Sequence, residues 1–235
     1  VKDLPEKVVK EAVFGSQFHT ICSGGAYLNP DYIELFERFG IQILQGYGMT
    51  ECSPVISTTV AWNVKKNSVG QLLPNCEAKT VDGELWVRGS SVMQGYYKMP
   101  EETKTALKDG WLCTGDLGYV DEERFIYLTG RKKNLIITKN GENVSPEELE
   151  NKLSSSRLVQ EVLVREAKGV IEAEIYPDEE YAKKQGLERE EEVRVELQKL
   201  IDEYNQGAPA YKKIYSLIIR EKEFEKTASR KIKRY

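Results

Sequence analysis

The residues best equipped for chemistry lie between Trp111 and Leu149. Asp116 falls within Thr114-Gly115-Asp116-Leu117-Gly118, which reads as a tight turn whose glycines allow positive φ and the close approach of a ligand. A carboxylate held there can accept both hydroxyls of a ribose. Fifteen residues later, Gly130-Arg131 places a permanently charged, forked donor after the apolar run Phe125 to Leu128, where it suits ribose or phosphate oxygens. Arg131 to Asn134 reads as a hinge, and Gly141-Glu142-Asn143-Val144 follows. Two clusters lie upstream. Ser23-Gly24-Gly25-Ala26 is a turn that brings backbone close to a flat or anionic ligand. In Gln45-Gly46-Tyr47-Gly48-Met49-Thr50-Glu51, Tyr47 offers a stacking face between Gly46 and Gly48, Thr50 a hydroxyl, and Glu51 a carboxylate fit for magnesium shared with substrate phosphates. Taken singly, an aspartate in a turn and an arginine after a strand more often make a salt bridge than a site. The order and spacing of the pieces together set them apart.

These residues need elements to position them. Phe18 to Cys22 reads as a short buried strand. Asn29-Pro30 reads as N-cap and first helical position for a helix with Ile33, Leu35, Phe36 and Phe39 apolar, closed by Gly40. Ile41 to Leu44 is the next strand, so the pattern predicts a parallel α/β unit with ligands beyond the strand carboxyl ends. From Ser68 to Leu128 short β runs broken by Gly, Asn and Asp turns predict a small barrel or sandwich-like subdomain, with a helical stretch at Pro100 to Leu107. Beyond it, Ser145-Pro146-Glu147-Glu148 reads as a capping box. Leu158 to Arg165 and Val170 to Tyr176 form a hairpin about Ala167-Lys168-Gly169, with Ile171, Ala173 and Ile175 on one face against Glu172 and Glu174. An amphipathic helix carries Val193, Leu197, Leu200, Ile201 and Tyr204, and Ile214 to Ile219 is a last strand. The expected organisation is an α/β part over 1–67, a β-rich subdomain over 68–130 and an α+β domain over 131–235.

Composition narrows the function classes. The chain has 235 residues, 40% hydrophobic and 31% charged, which is ordinary for a soluble globular protein with one or two domains. No apolar run approaches a membrane span and the start does not read as a signal peptide, so a cytoplasmic setting is the default expectation. A net charge of −4 gives no reason to expect nucleic acid, although Arg220 to Tyr235 carries seven Lys or Arg against three Glu. Such a tail is usually a solvated basic end, and here it can meet an anion. Cys22, Cys52, Cys76 and Cys113 lie 24 to 37 residues apart, with no Cys-x-x-Cys pair to suggest zinc. His19 is the only histidine and reads as structural.

Together, Ser-Gly-Gly-Ala, Gly-Tyr-Gly-Met-Thr-Glu, Gly-Glu-Leu-Trp-Val-Arg-Gly, Gly-Tyr-Tyr-Lys, Thr-Gly-Asp, Gly-Arg-Lys-Lys-Asn and the terminal Lys-Thr-Ala-Ser-Arg-Lys-Ile-Lys-Arg resemble the acyl-adenylate-forming enzymes, in flavour the bacterial long-chain-fatty-acid–CoA ligases. The resemblance covers Ser23 to the end. It implies the end of a large adenylate-forming domain followed by a mobile C-terminal domain, with ATP or AMP, Mg2+ and coenzyme A as cofactors and a fatty or other carboxylic acid as substrate. By motif, Gly24, Gly25 and Ala26 would border adenine and the acyl pocket, and Tyr47, followed by Gly48, would stack on adenine. Thr50 and Glu51 would engage the α-phosphate and magnesium, and Asp116 and Arg131 would hold the ribose. Lys133 would be the pivot, the Gly141 loop part of the pantetheine tunnel, and Lys231 the lysine that steadies carboxylate and α-phosphate. The family's usual glycine before that lysine is Arg230 here. Its upstream phosphate loop is absent from these residues, so the chain is expected to be the C-terminal part of a longer protein and inactive alone. An adenylating domain that loads an acyl carrier protein, or a non-catalytic nucleotide-binding module, are the alternatives. Peripheral membrane association stays open.

Overall fold

The helix that links the two parallel strands of the α/β part starts where its sequence dictates. Asn29 Oδ1 accepts from the Asp31 N–H at 2.9 Å, and Pro30 occupies the first turn, where a missing N–H removes no helical bond. The computed structural model describes residues 6–26, 28–228 and 230–234, and the chain divides into two compact units, Val1–Leu128 and Thr129–Tyr235.

The first unit opens with α1 (Glu6–Phe14), β1 (Thr20–Gly24), α2 (Pro30–Arg38) and β2 (Gln42–Gly48). Strands β1 and β2 run parallel from Thr20↔Gln42 to Gly24↔Gly46, as the strand, helix, strand pattern predicts. β3 (Val55–Thr58) and β4 (Gln71–Leu72) extend this sheet antiparallel, in the order β1-β2-β3-β4. A second sheet holds β5 (Cys76–Val81), β6 (Glu84–Gly89), then, after α3 (Pro100–Ala106), β7 (Leu107–Lys108), β8 (Trp111–Val120) and β9 (Ile126–Arg131). Its order is β5-β6-β8-β7, with β9 on β8. The β5–β6 turn places Asp82 at φ 49° and Gly83 at φ 80°, the conformation a two-residue hairpin needs. One apolar core joins the two sheets, with Cys52, Ile56, Leu85, Val87, Leu112 and Ile126 buried.

In the second unit β10 (Ile136–Ile137) and β11 (Asn143–Val144) pair antiparallel, and α4 (Pro146–Leu153) follows. β12 (Val159–Ala167) and β13 (Val170–Pro177) form a hairpin turned at Lys168, φ 52°, and Gly169, φ 81°. After α5 (Glu179–Lys184) and α6 (Glu190–Gly207), β14 (Ile214–Ile219) lies parallel to β13. Leu149, Leu153, Val164, Ile175, Leu197 and Ile201 close the core. Each such side chain, buried, stabilises the unit by roughly 2 kcal/mol.

Two local expectations change. Ser145 sits at the α4 N-cap, but its hydroxyl donates to Glu147 Oε2 at 2.9 Å instead of accepting from a helix N–H. Glu172 and Glu174, placed by alternation on a face opposite the core, are only 8% and 7% exposed. They lie on the central strand of the β12-β13-β14 sheet, where Arg165 reaches both and Ser216 and Arg220 complete the pairing. Arg165 on β12 and Arg220 just past β14 supply cations that a sequence pattern read along one strand does not reveal.

Candidate functional site

The two glycine clusters upstream stand side by side at the carboxyl ends of the parallel strands. Gly24 pairs with Gly46, and a Cβ on Gly24 would stand 3.0 Å from the Gly46 carbonyl oxygen. Gly25 takes φ 81° with open space around it. At the end of β2 the chain doubles back so tightly that a Cβ on Gly48 would fall 1.9 Å from the Pro54 carbonyl oxygen. This close approach, fixed further by Met49 N–H donating to Pro54 O at 2.8 Å, requires glycine and sets the 3-10 turn Thr50–Cys52. Thr50 is exposed on that turn, and Glu51 is half-buried.

Asp116 lies within a strand, not in a turn. Register along β6 and β8 shifts between Glu84↔Leu117 and Trp86↔Cys113, so Thr114 to Asp116 bulge out of the ladder. Gly115, φ 71°, is the bulged residue, and its N–H donates to the buried Glu84 carboxylate at 2.9 Å. The Thr114 hydroxyl donates to Leu85 O at 2.7 Å and accepts from the Asp116 N–H at 3.1 Å. The bulge re-aims Asp116, which is 6% exposed, and the Tyr47 hydroxyl donates to its Oδ2 at 2.7 Å. Motifs 69 residues apart thereby become one local arrangement. Tyr47 is itself buried, so its ring is packed as well as anchored through its hydroxyl.

Glu51 has a partner that the sequence reading did not assign. The Tyr96 hydroxyl donates to Glu51 Oε1 at 2.9 Å, and this bond, with burial behind it, raises the phenol pKa above its ordinary value. Tyr96 is set by its own N–H donating to Thr103 Oγ1 at 2.9 Å, and Met93 N–H ties the same loop to Glu51 O at 2.8 Å. Tyr96 belongs to the Gly-Tyr-Tyr-Lys stretch, so the residue was in view. Its 45-residue separation from Glu51 hid the contact.

In the second unit the candidates are carried on turns. Strand β9 runs across the boundary between the units, Arg131 ends it, and the 3-10 turn Lys132–Asn134, which contains Lys133, follows. Asn134 Nδ2 donates to Glu147 Oε1 at 2.5 Å, and a Cβ on Gly130 would strike Ser145 Oγ at 2.2 Å, so the turn is seated against the start of α4. Gly141, φ 80°, turns β10 into β11, and a Cβ there would meet nothing within 4 Å. Lys231 is exposed, and its N–H donates to Thr227 Oγ1 at 3.2 Å. Sequence reasoning did not single out Arg234, whose guanidinium forks onto the Glu150 carboxylate at 2.9 and 2.5 Å. Burial raises the Glu150 pKa, with Arg234 opposing that rise.

Models of two families match the chain: AMP-binding enzyme over residues 2–97, and AMP-binding enzyme C-terminal domain over residues 133–235. The chain belongs to the AMP-binding enzymes. Among curated relatives of this AMP-binding chain, it is 39% identical over 171 residues to a long-chain-fatty-acid–CoA ligase of Mycobacterium bovis, covering 72% of this chain and 28% of the relative. It is 38% identical over 163 residues to a long-chain-fatty-acid–CoA ligase of Bacillus subtilis, covering 63% of this chain and 29% of that protein. The chain thus spans less than a third of the length of these relatives. Among solved structures, o-succinylbenzoate CoA synthetase of Bacillus subtilis in complex with its acyl-adenylate intermediate is 27% identical with a TM-score of 0.77, over 96% of this chain and 48% of that one.

For an AMP-binding enzyme the donor set around Glu51 is informative. No group of three or more His, Cys, Asp or Glu among the described residues is arranged to hold a metal. A single carboxylate beside a hydroxyl fits a magnesium ion that arrives on nucleotide phosphates and keeps its waters, not one held in an all-protein cage. Glu51 with Thr50 would face such an ion. No helix among the described residues is long and apolar enough to cross a membrane.

Proposed function

We propose that this chain is the C-terminal part of an acid–thiol ligase that activates a carboxylic acid, a fatty acid by likeness to the relatives above, with ATP and passes the acyl group to coenzyme A. The observation that carries the reading is the 2.7 Å hydrogen bond from Tyr47 to Asp116. It sets a buried carboxylate beside an aromatic ring on the glycine-lined strand ends, a combination suited to a nucleoside. In this reading Gly24, Gly25 and Ala26 border the base, Tyr47 and Gly48 shape its floor, and Asp116 and Arg131 hold the ribose. The acid carboxylate attacks the α-phosphorus and pyrophosphate leaves. Charge that builds on the phosphoryl oxygens is met by Lys231 and by the Thr50 hydroxyl, and Glu51 would hold the magnesium that accompanies the nucleotide. The thiol then attacks the acyl carbon and AMP departs. Lys133 is read as the pivot between the two half-reactions, and Gly141 as the open turn beside the thiol's arm.

The test uses a protein in which this chain is joined to the upstream phosphate-loop region. There Asp116→Ala should raise the KM for ATP about a hundredfold, through loss of a charged hydrogen-bond acceptor, while the KM for CoA stays within about threefold. Unchanged ATP dependence would remove the ribose assignment. The chain by itself is expected to support no acid-dependent pyrophosphate exchange. Supplying CoA and an acyl carrier protein in separate reactions identifies the acceptor.

A further inference from the structure

The last segment of the second unit is pinned at both ends and displays two cations between the pins. Phe224 is buried, and its N–H donates to Glu161 Oε2 at 2.8 Å, while Lys226 pairs with the same carboxylate. At the far end Arg234 forks onto Glu150. Between them the chain folds back on itself: Lys226 bridges Ile232, Thr227 N–H donates to Lys231 O at 2.8 Å, and Arg230 N–H donates to Thr227 O at 2.9 Å. Of the five cations from Phe224 to Arg234, Lys226, Lys233 and Arg234 are paired with carboxylates. Arg230 and Lys231, adjacent and exposed, have no side-chain partner among the described residues.

Arg230 also stands at φ 59°, in the left-handed region that favours glycine. Arg124, at φ 68°, shows what offsets such strain elsewhere in the chain: its guanidinium donates to the carbonyls of Leu73 at 3.3 Å and Cys76 at 2.9 Å. The Arg230 guanidinium has no such carbonyl partner among the described residues. The left-handed backbone turns the pinned loop, with the Arg230 N–H on Thr227 O, and the guanidinium displayed at its tip is left for a ligand.

The geometry points to Arg230 and Lys231 together as a two-cation seat for the linked phosphates of a nucleotide. Arg230 would take two oxygens of one phosphate through its fork, and Lys231 would act as a point charge on the next. For the identity of the nucleotide, the inference rests on the adenylation reading above.

Calorimetric titration of this full chain with inorganic pyrophosphate tests it. Adenosine 3′,5′-bisphosphate, whose phosphates are not linked to each other and resemble those at the ribose of CoA, serves as the second arm. Arg230→Ala should weaken pyrophosphate about tenfold and Arg230→Lys about threefold. The bisphosphate should stay within about twofold for both variants. Arg230→Gly should lose the same affinity as Arg230→Ala while raising Tm by about 2 °C through relief of the left-handed backbone. Pyrophosphate affinity unchanged in Arg230→Ala and Arg230→Gly would overturn the proposal, as would a wild-type chain that binds no pyrophosphate at millimolar concentration. Equal losses for both ligands would move the seat to the acceptor's phosphates and overturn its assignment to the nucleotide. The titration needs no acid, no upstream region and no turnover. Arg230-dependent pyrophosphate binding alongside absent acid-dependent exchange in the longer protein would therefore leave the seat standing and remove the adenylation reading.

Discussion

Asp116 in the first unit is 6% exposed, set in a strand bulge and bonded to Tyr47, whereas Lys231 and Gly141 in the second unit lie on exposed turns. The difference follows from how each group meets water. A buried carboxylate is costly to desolvate and is tolerated only where fixed donors meet it, so it is built once into a core and stays there. An exposed lysine keeps its hydration until a ligand arrives. Its position is then set by the pinning of its loop, through Phe224 and Arg234, more than by contacts of its own. The first unit thus offers a preorganised floor, and the second offers groups presented on turns.

The sharpest test of a locked floor is Cys52, which directly follows Glu51. Burial first, then the neighbouring Cys76 and Glu51, push its thiol up to about 12. Native-state alkylation at pH 8 should modify exposed Cys22 at least about a thousandfold faster than Cys52, because the thiolate is the reacting form and Cys52 has neither charge nor access. Comparable labelling rates would mean that the Thr50–Cys52 turn opens freely, and the contrast between the units would collapse.

Next in size is one substitution made in both regions. Gly48→Ala drives a Cβ against the Pro54 backbone and should destabilise the protein by roughly 3 kcal/mol in urea unfolding. Gly141→Ala meets nothing within 4 Å and should cost only about 1 kcal/mol, from positive φ alone. Similar costs would show that the two turns are equally constrained. For chemistry, Lys231→Ala in the longer protein should slow acid-dependent pyrophosphate exchange about a hundredfold. Thioester formation from supplied acyl-adenylate should stay within a few-fold. If both half-reactions fell equally with the fold intact by circular dichroism, Lys231 would not be acting on the first step.

Much of the architecture was legible because it rests on local rules. Asn29-Pro30 capped its helix, the β1-α2-β2 pattern produced a parallel pair, and Lys168-Gly169 turned its hairpin, each from residues within a few positions of one another. Reading failed where the deciding partner lay far along the chain. Thr114-Gly115-Asp116 carries the glycine of a turn, but pairing with β6 makes it a bulge inside a strand. Glu172 and Glu174 alternate as surface residues do, and Arg165 on β12 and Arg220 just past β14 cover them.

The sequence by itself determined the locally coded elements, the family motifs and the residue types of the candidate site, because helix caps, strand alternation and glycine turns depend on neighbours that the chain order supplies. Tertiary structure alone decided that Tyr47 meets Asp116, that Tyr96 holds Glu51, and that Arg234 anchors the turn bearing Arg230 and Lys231. Those contacts join residues 45 to 84 positions apart, and their hydrogen bonds depend on the packing of whole sheets and helices, which no local pattern encodes.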